Sequence, residues 1–354
     1  MSGVPISDTV HLRSGERPIP DYIGLLKGLQ PDVLSPETIS SHQHPLVKLI
    51  HKTKGLQWAI ATAALLRAHE YSIVVAAAED VGLNFALLRR AFGIQTPLVM
   101  SCNNVGTRRP AVLLGKLKLH TAIRSFFCFS QTQAQLLSDD YGVPRSKLCV
   151  TSCAVDHHYF QPAQTLAMKH QICSAGMALR DYATLVEATR DTDVDVKIDA
   201  NSAWWQSKLN LSVDSLHPRV EVLTGRSTSD LRQLYAESLF VVLPLCNVPY
   251  GAGYTTTLEA MAMGKALIVS KLRQYGDFIE DGWNGIYVPP EDPVALRNAI
   301  QYLLDHPEEA RRLGENARRT VEERFTLDHY AERIITGVLT SVRPSRETVT
   351  SWSR

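Results

Sequence analysis

No apolar run in this 354-residue chain reaches the ~18 to 20 residues that a membrane-crossing helix requires. Residues 1–18, MSGVPISDTVHLRSGERP, contain no apolar core segment and do not read as a secretory signal. Cysteine is sparse. The six (Cys102, Cys128, Cys149, Cys153, Cys173, Cys246) are scattered, form no Cys-x-x-Cys pair, and several sit inside apolar runs where the thiol serves as a small hydrophobe. A reduced, cytoplasmic protein is the economical reading. No Gly-x-Gly-x-x-Gly follows an early strand, which argues against a nicotinamide dehydrogenase. Metal-ligand spacing is also missing. His157 and His158 have no cysteine or carboxylate at ligand distance in sequence, and Asp191, Asp193 and Asp195 precede an apolar stretch with the alternation of a solvated edge. No metal, resident cofactor or nucleic-acid partner is expected.

Charge of one sign is missing from a long segment. The net charge is only +1, yet residues 1–155 carry 16 Lys plus Arg against 10 Asp plus Glu. Between Val81 and Ser138 there is no acidic residue, while Arg89, Arg90, Arg108, Arg109, Lys116, Lys118 and Arg124 all occur, among mostly apolar neighbours. Two readings stay open: a surface for an anionic membrane or a phosphorylated acceptor, or lysines that merely snorkel away from a core-facing stripe.

Apolar residues make up 45% and charged residues 21%, which excludes a disordered or collagen-like chain. Strand-like runs alternate with amphipathic helical patterns through both halves, as in 72–77, 96–101, 126–130 and 147–152, then 171–175, 196–198, 219–223, 239–245, 266–269 and 286–288. A helix is expected over 46–67, weakened at Gly55, and others over 131–140, 182–189, 229–237, 293–305, 307–324 and 327–339. This α/β alternation predicts two Rossmann-like, doubly wound domains facing across a cleft. Residues 1–44 show only a short helical pattern over 23–29, and the tail beyond Arg343 is polar.

The most informative stretch is residues 238–270, SLFVVLPLCNVPYGAGYTTTLEAMAMGKALIVS. A buried-type strand runs into a loop with Pro249, Gly251 and Gly253, then a helix from Tyr254 to Met263, then Gly264 as its stop and another strand. In an open parallel sheet a ligand binds where such a loop leaves the strand's carboxyl end. Gly251 and Gly253 allow close backbone approach. The amides of Tyr254, Thr255, Thr256 and Thr257, at the helix's positive end, suit a pyrophosphate, and the threonines add hydroxyls. Glu259 has the wrong sign for phosphate but can accept hydrogen bonds from sugar hydroxyls. Its alternative is a solvated first-turn residue favoured by the helix dipole.

TLEAMAMGKALIVS, followed by EDGWNGIYVPPEDPVALRNAI, resembles the nucleotide-sugar signature of retaining glycosyltransferases of family 4, which have the GT-B fold. The resemblance extends over roughly residues 120–340. It implies GT-B architecture, with an acceptor-side domain over 1–158, a nucleotide-sugar-binding domain over 159–328, and a final segment, 329–354, whose helix crosses back onto the first domain. It implies metal-independent transfer of a sugar from a donor such as a UDP- or GDP-sugar to an acceptor hydroxyl, with retention of configuration. Glu259 matches the second Glu of the family's Glu-x7-Glu pattern, a ribose contact; Gly251 stands where the first should be. Gly176 and Arg180 match the phosphate-gripping loop, with Met177 in place of its first cation. On the residues alone, Arg180 could instead open its helix in an ion pair with Asp181 or Glu187.

Arg226 is implied beside the nucleobase, and Asp277 stands where relatives often have Glu. Many relatives carry a histidine after the strand that ends near residue 101; here Asn103 and Asn104 are the candidates for contact with the reacting sugar, or simply a turn. The implied catalytic set is thus Arg180, Glu259 and Asn103, and the donor set adds Gly176, Arg226, Gly251, Gly253, Tyr254, Thr255 and Thr256. Because both Gly251 and Met177 depart from the pattern, a non-catalytic nucleotide-sugar-binding relative and a GT-B-type epimerase are the alternatives. The basic stretch from Arg89 to Arg124 points to a lipid or lipid-linked acceptor, with the protein peripheral at the inner face of a membrane.

Overall fold

The computed structural model describes residues 17–103, 105–163, 168–200, 216–248, 251–273 and 275–342. Asn104, Pro249 and the tail beyond Arg343 lie outside the described residues. Two parallel sheets organise the rest. The first contains β1 (Val74–Ala76), β2 (Leu98–Cys102), β3 (Ser125–Cys128) and β4 (Leu148–Val150), hydrogen-bonded in chain order. The second contains β5 (Gln171–Ala175), β6 (Asp195–Asp199), β7 (Val220–Leu223), β8 (Val241–Leu243), β9 (Leu267–Ser270) and β10 (Ile286–Val288). Its order is β10-β9-β8-β5-β6-β7, so the chain reverses direction across the sheet between β5 and β8.

Period-two alternation explains why each sheet needs two covers. On β2 and β3, Leu98, Met100, Cys102, Phe126 and Cys128 face the crossover helices, packing on Leu83, Phe85 and Leu137. Val99 and Phe127 face the opposite way. They are covered by the C-terminal helix Leu327–Val342, through Tyr330, Ile334 and Val338, and by Leu25 and Leu29 of the helix Tyr22–Leu29. The returning helix is therefore the second cover of the first sheet. It approaches closely at Gly337, where an added Cβ would lie 2.6 Å from the Phe127 ring. The second sheet has the same arrangement, with Val241, Leu243 and Leu267 on one face and Phe240, Val242 and Ile268 on the other.

The helix expected over 46–67 is two helices, Pro45–Lys54 and Leu56–Arg67. Gly55 does more than weaken it: at φ +89° its backbone is left-handed and cannot continue the helical path. The strand expected over 239–245 is hydrogen-bonded as a ladder only from Val241 to Leu243, because the chain beyond it turns to meet the loop after β5. Arg219 pairs with both Asp193 and Asp195 near the solvated start of β6, which is not the edge expected from the aspartate alternation, since β6 pairs with both β5 and β7.

The two sheets are joined through 155–162. Val155 donates its amide to Phe325 O at 3.0 Å, and the Arg318 guanidinium donates to the carbonyls of His157, Phe160 and Ala262. The carboxyl end of the first sheet also meets the second half through the start of the helix after β3. The Gln131 amide donates to Asp277 Oδ2 at 2.7 Å, the Thr132 hydroxyl donates to Tyr275 O at 3.2 Å, and Phe129 packs edge-on against Tyr254.

Candidate functional site

The reversal between β5 and β8 places two loops side by side at the carboxyl ends of adjacent strands, where open α/β sheets form ligand crevices. The loops are zipped together. Asp181 donates its amide to Pro244 O at 3.1 Å, Cys246 donates to Leu179 O at 2.9 Å, and Arg180 and Leu245 form an antiparallel bridge. Sequence-distant residues 176–181 and 244–246 thus become one rigid rim.

Arg180 sits on that rim facing inward. Its Nε donates to Ala175 O at 2.8 Å, Nη1 to Ala178 O at 2.7 Å and Nη2 to Thr256 Oγ1 at 3.0 Å. It pairs with neither Asp181 nor Glu187: Asp181 caps its own helix by accepting from the Thr184 amide, and Glu187 pairs with Arg190. With three of five donors used on neutral oxygens, the guanidinium keeps its full charge and two N–H groups for an anion. Gly176 makes the seat. Its φ is +97°, and a Cβ there would lie 2.5 Å from Arg180 Nη2. The glycine therefore admits the guanidinium. Met177, where a second cation was sought, packs against the apolar core.

The helix Tyr254–Ala262 opens at Gly253, left-handed at φ +79° and pressed against Leu243. Gly251 is half-buried in the loop ahead of it. The expectation of four available amides is corrected at one position. Thr257 donates its amide to Gly253 O at 3.0 Å, inside the helical ladder, so the opening turn presents its amides only as far as Thr256. Thr255 is exposed, whereas the Thr256 hydroxyl is committed to Arg180 and the Thr257 hydroxyl to Gly253 O and Tyr275. The Tyr254 ring packs among Phe129, Tyr275 and Phe278.

Glu259, one turn in, is not a solvated first-turn residue. It is half-buried, and its Oε2 accepts from the Tyr235 hydroxyl at 3.1 Å. Burial pushes its carboxyl up to about 7; the Tyr235 bond and the Arg180 charge oppose that, while Asp199 adds to it. Asp199 ends β6 and was not singled out from sequence. It is buried, Oδ1 has no partner, and burial raises it to about 6 against the pull of Arg226. Its signal was a buried strand ending on an aspartate. Arg226 itself is exposed on the loop after β7, beside Asp199 in the electrostatic sense. Tyr235 carried no sequence signal beyond its helix. Asn103 lies apart, in the first sheet. Its amide donates to Glu79 Oε2 at 2.9 Å, its Oδ1 is buried without a partner, and no hydrogen bond links it to Arg180 or Glu259.

Residues 176–306 match the family model described as "Glycosyl transferases group 1". This part of the chain is similar to a glycosyl transferases group 1 domain. The matched segment begins at Gly176, the seat of Arg180, and includes Asp199, Arg226, Tyr235, Thr256 and Glu259. The MMP alpha-(1->4)-mannosyltransferase of Mycolicibacterium hassiacum is 26% identical over 58% of this chain and 51% of its own. The O-antigen chain mannosyltransferase C of Escherichia coli is 36% identical over 23% and 22%. The chain spans about half the length, or less, of the curated relatives it matches. Among solved structures, HepE of Anabaena in complex with UDP-glucose aligns with a TM-score of 0.65 at 18% identity, over 84% of each chain. The sucrose-phosphate synthase of Thermosynechococcus elongatus aligns at 0.66 and 19%, over 84% and 80%. These likenesses establish GT-B architecture for the two sheets.

Proposed function

We propose that the chain is a glycosyltransferase that moves a hexose from a nucleotide-sugar donor to an acceptor hydroxyl, with retention of configuration and without a metal ion. The observation that carries this reading is the meeting of Arg180, the opening turn of the Tyr254–Ala262 helix and the half-buried Glu259 at one strand reversal. A donor diphosphate laid against that turn would face Arg180 and the amides of Thr255 and Thr256, with Gly253 and Gly251 giving backbone access. Glu259 would accept from the ribose hydroxyls, with Tyr235 holding its second oxygen. Arg226 and Asp199 lie toward the nucleobase side. In that pose Arg180 and the amides neutralise the departing diphosphate, and preorganised donors at developing negative charge are a large catalytic term. The mannosyltransferases among the relatives favour a hexose donor.

In this reading residues 1–158 hold the acceptor, with Asn103 as the candidate contact to the reacting sugar, and 159–328 hold the donor. Phe92, Val112 and Leu117 are exposed large apolar residues, and Lys116 and Lys118 are exposed among them. That combination favours a lipid or lipid-linked acceptor and attachment at an anionic membrane face. A non-catalytic nucleotide-sugar binder is the second reading, favoured by Gly251 and by Met177, which packs against the core where a cation would be.

Purified protein incubated with a panel of nucleotide sugars, with and without polyprenyl-phosphate and glycolipid acceptors, separates these. Acceptor-dependent nucleotide release, with the anomeric configuration read by NMR and unaffected by chelator, supports retaining transfer. Tight nucleotide binding with no turnover supports the second reading, and a new sugar nucleotide formed without acceptor identifies an epimerase.

A further inference from the structure

The carboxyl ends of β8, β5, β6 and β7 follow one another along the edge of the second sheet, and Arg180 is seated between β8 and β5. One strand further on stands Asp199, the last residue of β6. It pairs in register with Ala175, and its carbonyl accepts from the Gly176 amide at 3.0 Å, so its backbone is tied to the seat of Arg180. On its other side the Ala200 amide donates to Leu223 O at 3.0 Å, at the exit of β7. Val196, Ile198 and Ala200 pack into the core on one face of the sheet. Strand alternation turns the Asp199 side chain to the opposite face, the one covered by the helix that carries Glu259.

Nothing described in the protein uses this carboxylate. Asp199 is only 3% exposed, yet its Oδ1 accepts no hydrogen bond. No salt bridge among the described residues includes it. A buried acceptor in that condition is costly, and a ligand that brings its own donors removes the cost. Glu259 lies within reach of both the Arg180 and the Asp199 charges. In the donor pose proposed above, the diphosphate lies at Arg180 and the ribose at Glu259. That leaves the base for Asp199, one strand, or ~4.8 Å, further along the sheet edge.

Hydrogen-bond chemistry decides which base a carboxylate reads. Ionised, it only accepts, through two oxygens side by side. Guanine presents two adjacent donors, N1–H and the N2 amino group. Uracil presents one N3–H flanked by two carbonyl oxygens. Adenine and cytosine each set one amino donor beside an unprotonated ring nitrogen, which repels the second carboxylate oxygen. Of these four bases, guanine alone satisfies both oxygens. Resting on the glycosyltransferase reading, we propose that Asp199 is a specificity-determining residue that selects a guanosine diphosphate sugar as donor. Arg226, on the loop after β7, favours the ionised form of Asp199, and a guanidinium there suits guanine O6, the acceptor next to N1.

The test is calorimetric titration of the full chain with GDP, IDP, UDP and ADP at pH ~8, where the carboxylate is ionised. Inosine differs from guanosine only in lacking the N2 amino group. Wild type is expected to bind GDP about 10-fold more tightly than IDP and about 100-fold more tightly than UDP or ADP. Asp199→Asn removes a buried charge at constant size and offers one donor and one acceptor in place of two acceptors. It should weaken GDP by about 30-fold, erase the difference between GDP and IDP, and bind UDP no more weakly than wild type does. Should Asp199→Asn fail to fold by circular dichroism, the wild-type ranking of the four nucleotides still decides. The proposal alone is overturned, with the glycosyltransferase reading intact, if UDP binds wild type as tightly as GDP. It is overturned equally if Asp199→Asn weakens GDP and UDP by the same factor, which puts the carboxylate on the ribose they share. If none of the four binds folded wild type, the proposal and the glycosyltransferase reading fall together.

Discussion

The Tyr235 hydroxyl donates to Glu259 Oε2 at 3.1 Å and holds a carboxylate that burial would rather protonate. Each residue comes from a different helix, and the bond fixes which oxygen is left for a ligand. A carboxyl raised from 4.5 to about 7 is charged in the fold only at a cost. In the ligand-free protein that cost is absent below pH ~4.5, where folded and unfolded forms are both protonated, and grows until the pH passes the folded value. Glu259→Gln is therefore expected to raise the melting temperature above pH 7 and to leave it unchanged near pH 4.5. A difference that is flat across this range, or largest in acid, would contradict the assignment.

Turnover should move the other way. If Glu259 must be ionised to accept from the ribose, kcat/KM rises with pH through about 7 in wild type. Glu259→Ala lowers turnover by more than ~10-fold and removes that limb. Tyr235→Phe keeps the carboxylate but deletes its donor, so the limb shifts to higher pH while activity persists.

Arg180→Ala is expected to reduce kcat by more than ~10-fold and up to ~1,000-fold, since loss of one donor to a developing anion typically adds ~2.7–4 kcal/mol to a barrier. Gly176→Ala provides an independent check. Its Cβ would stand 2.5 Å from Arg180 Nη2, and its φ of +97° strains any side chain. It should reproduce the kinetic defect with Arg180 still present and cost about 1–3 kcal/mol of stability. Normal kinetics in Gly176→Ala would mean that the seat of the guanidinium is not needed.

Asp277 accepts from the Gln131 amide at 2.7 Å, a bond from the second half of the chain to a helix start in the first. Asp277→Ala removes one partner of this pair. Global stability should change by only about 1 kcal/mol, since a single partly solvated bond is lost. Its effect should instead show in small-angle scattering, as a larger radius of gyration of the ligand-free protein.

The C-terminal helix makes a sharper stability prediction. Phe127 is fully buried beneath it, and Gly337 approaches the ring at Cε1 and Cζ. Phe127→Ala should cost about 3–5 kcal/mol in urea unfolding. Gly337→Val adds atoms where a first carbon already lies 2.6 Å from the ring. It should undock the helix and increase hydrogen exchange over Leu327–Val342 before the second sheet is affected.

Much of this architecture is written in local patterns. Apolar runs such as Phe240–Leu243, the glycine at Gly253 and the spacing of Leu258 and Met261 depend on neighbours within a few residues, so strand, loop and helix follow from sequence alone. The position of Glu259 inside the first turns of that helix follows as well. What local pattern cannot convey is which way a side chain faces when its partner is tens of residues away. Arg180 could have paired with Asp181 beside it; only the zipping of 176–181 onto 244–246, set by the order β10-β9-β8-β5-β6-β7, turned it toward Thr256. The same holds for Tyr235 beneath Glu259 and for the buried Asp199 carboxylate. The sequence determined the elements because short-range sterics and apolar periodicity act along the chain. The tertiary structure decided the charges' company, because electrostatic partners are chosen by distance in space.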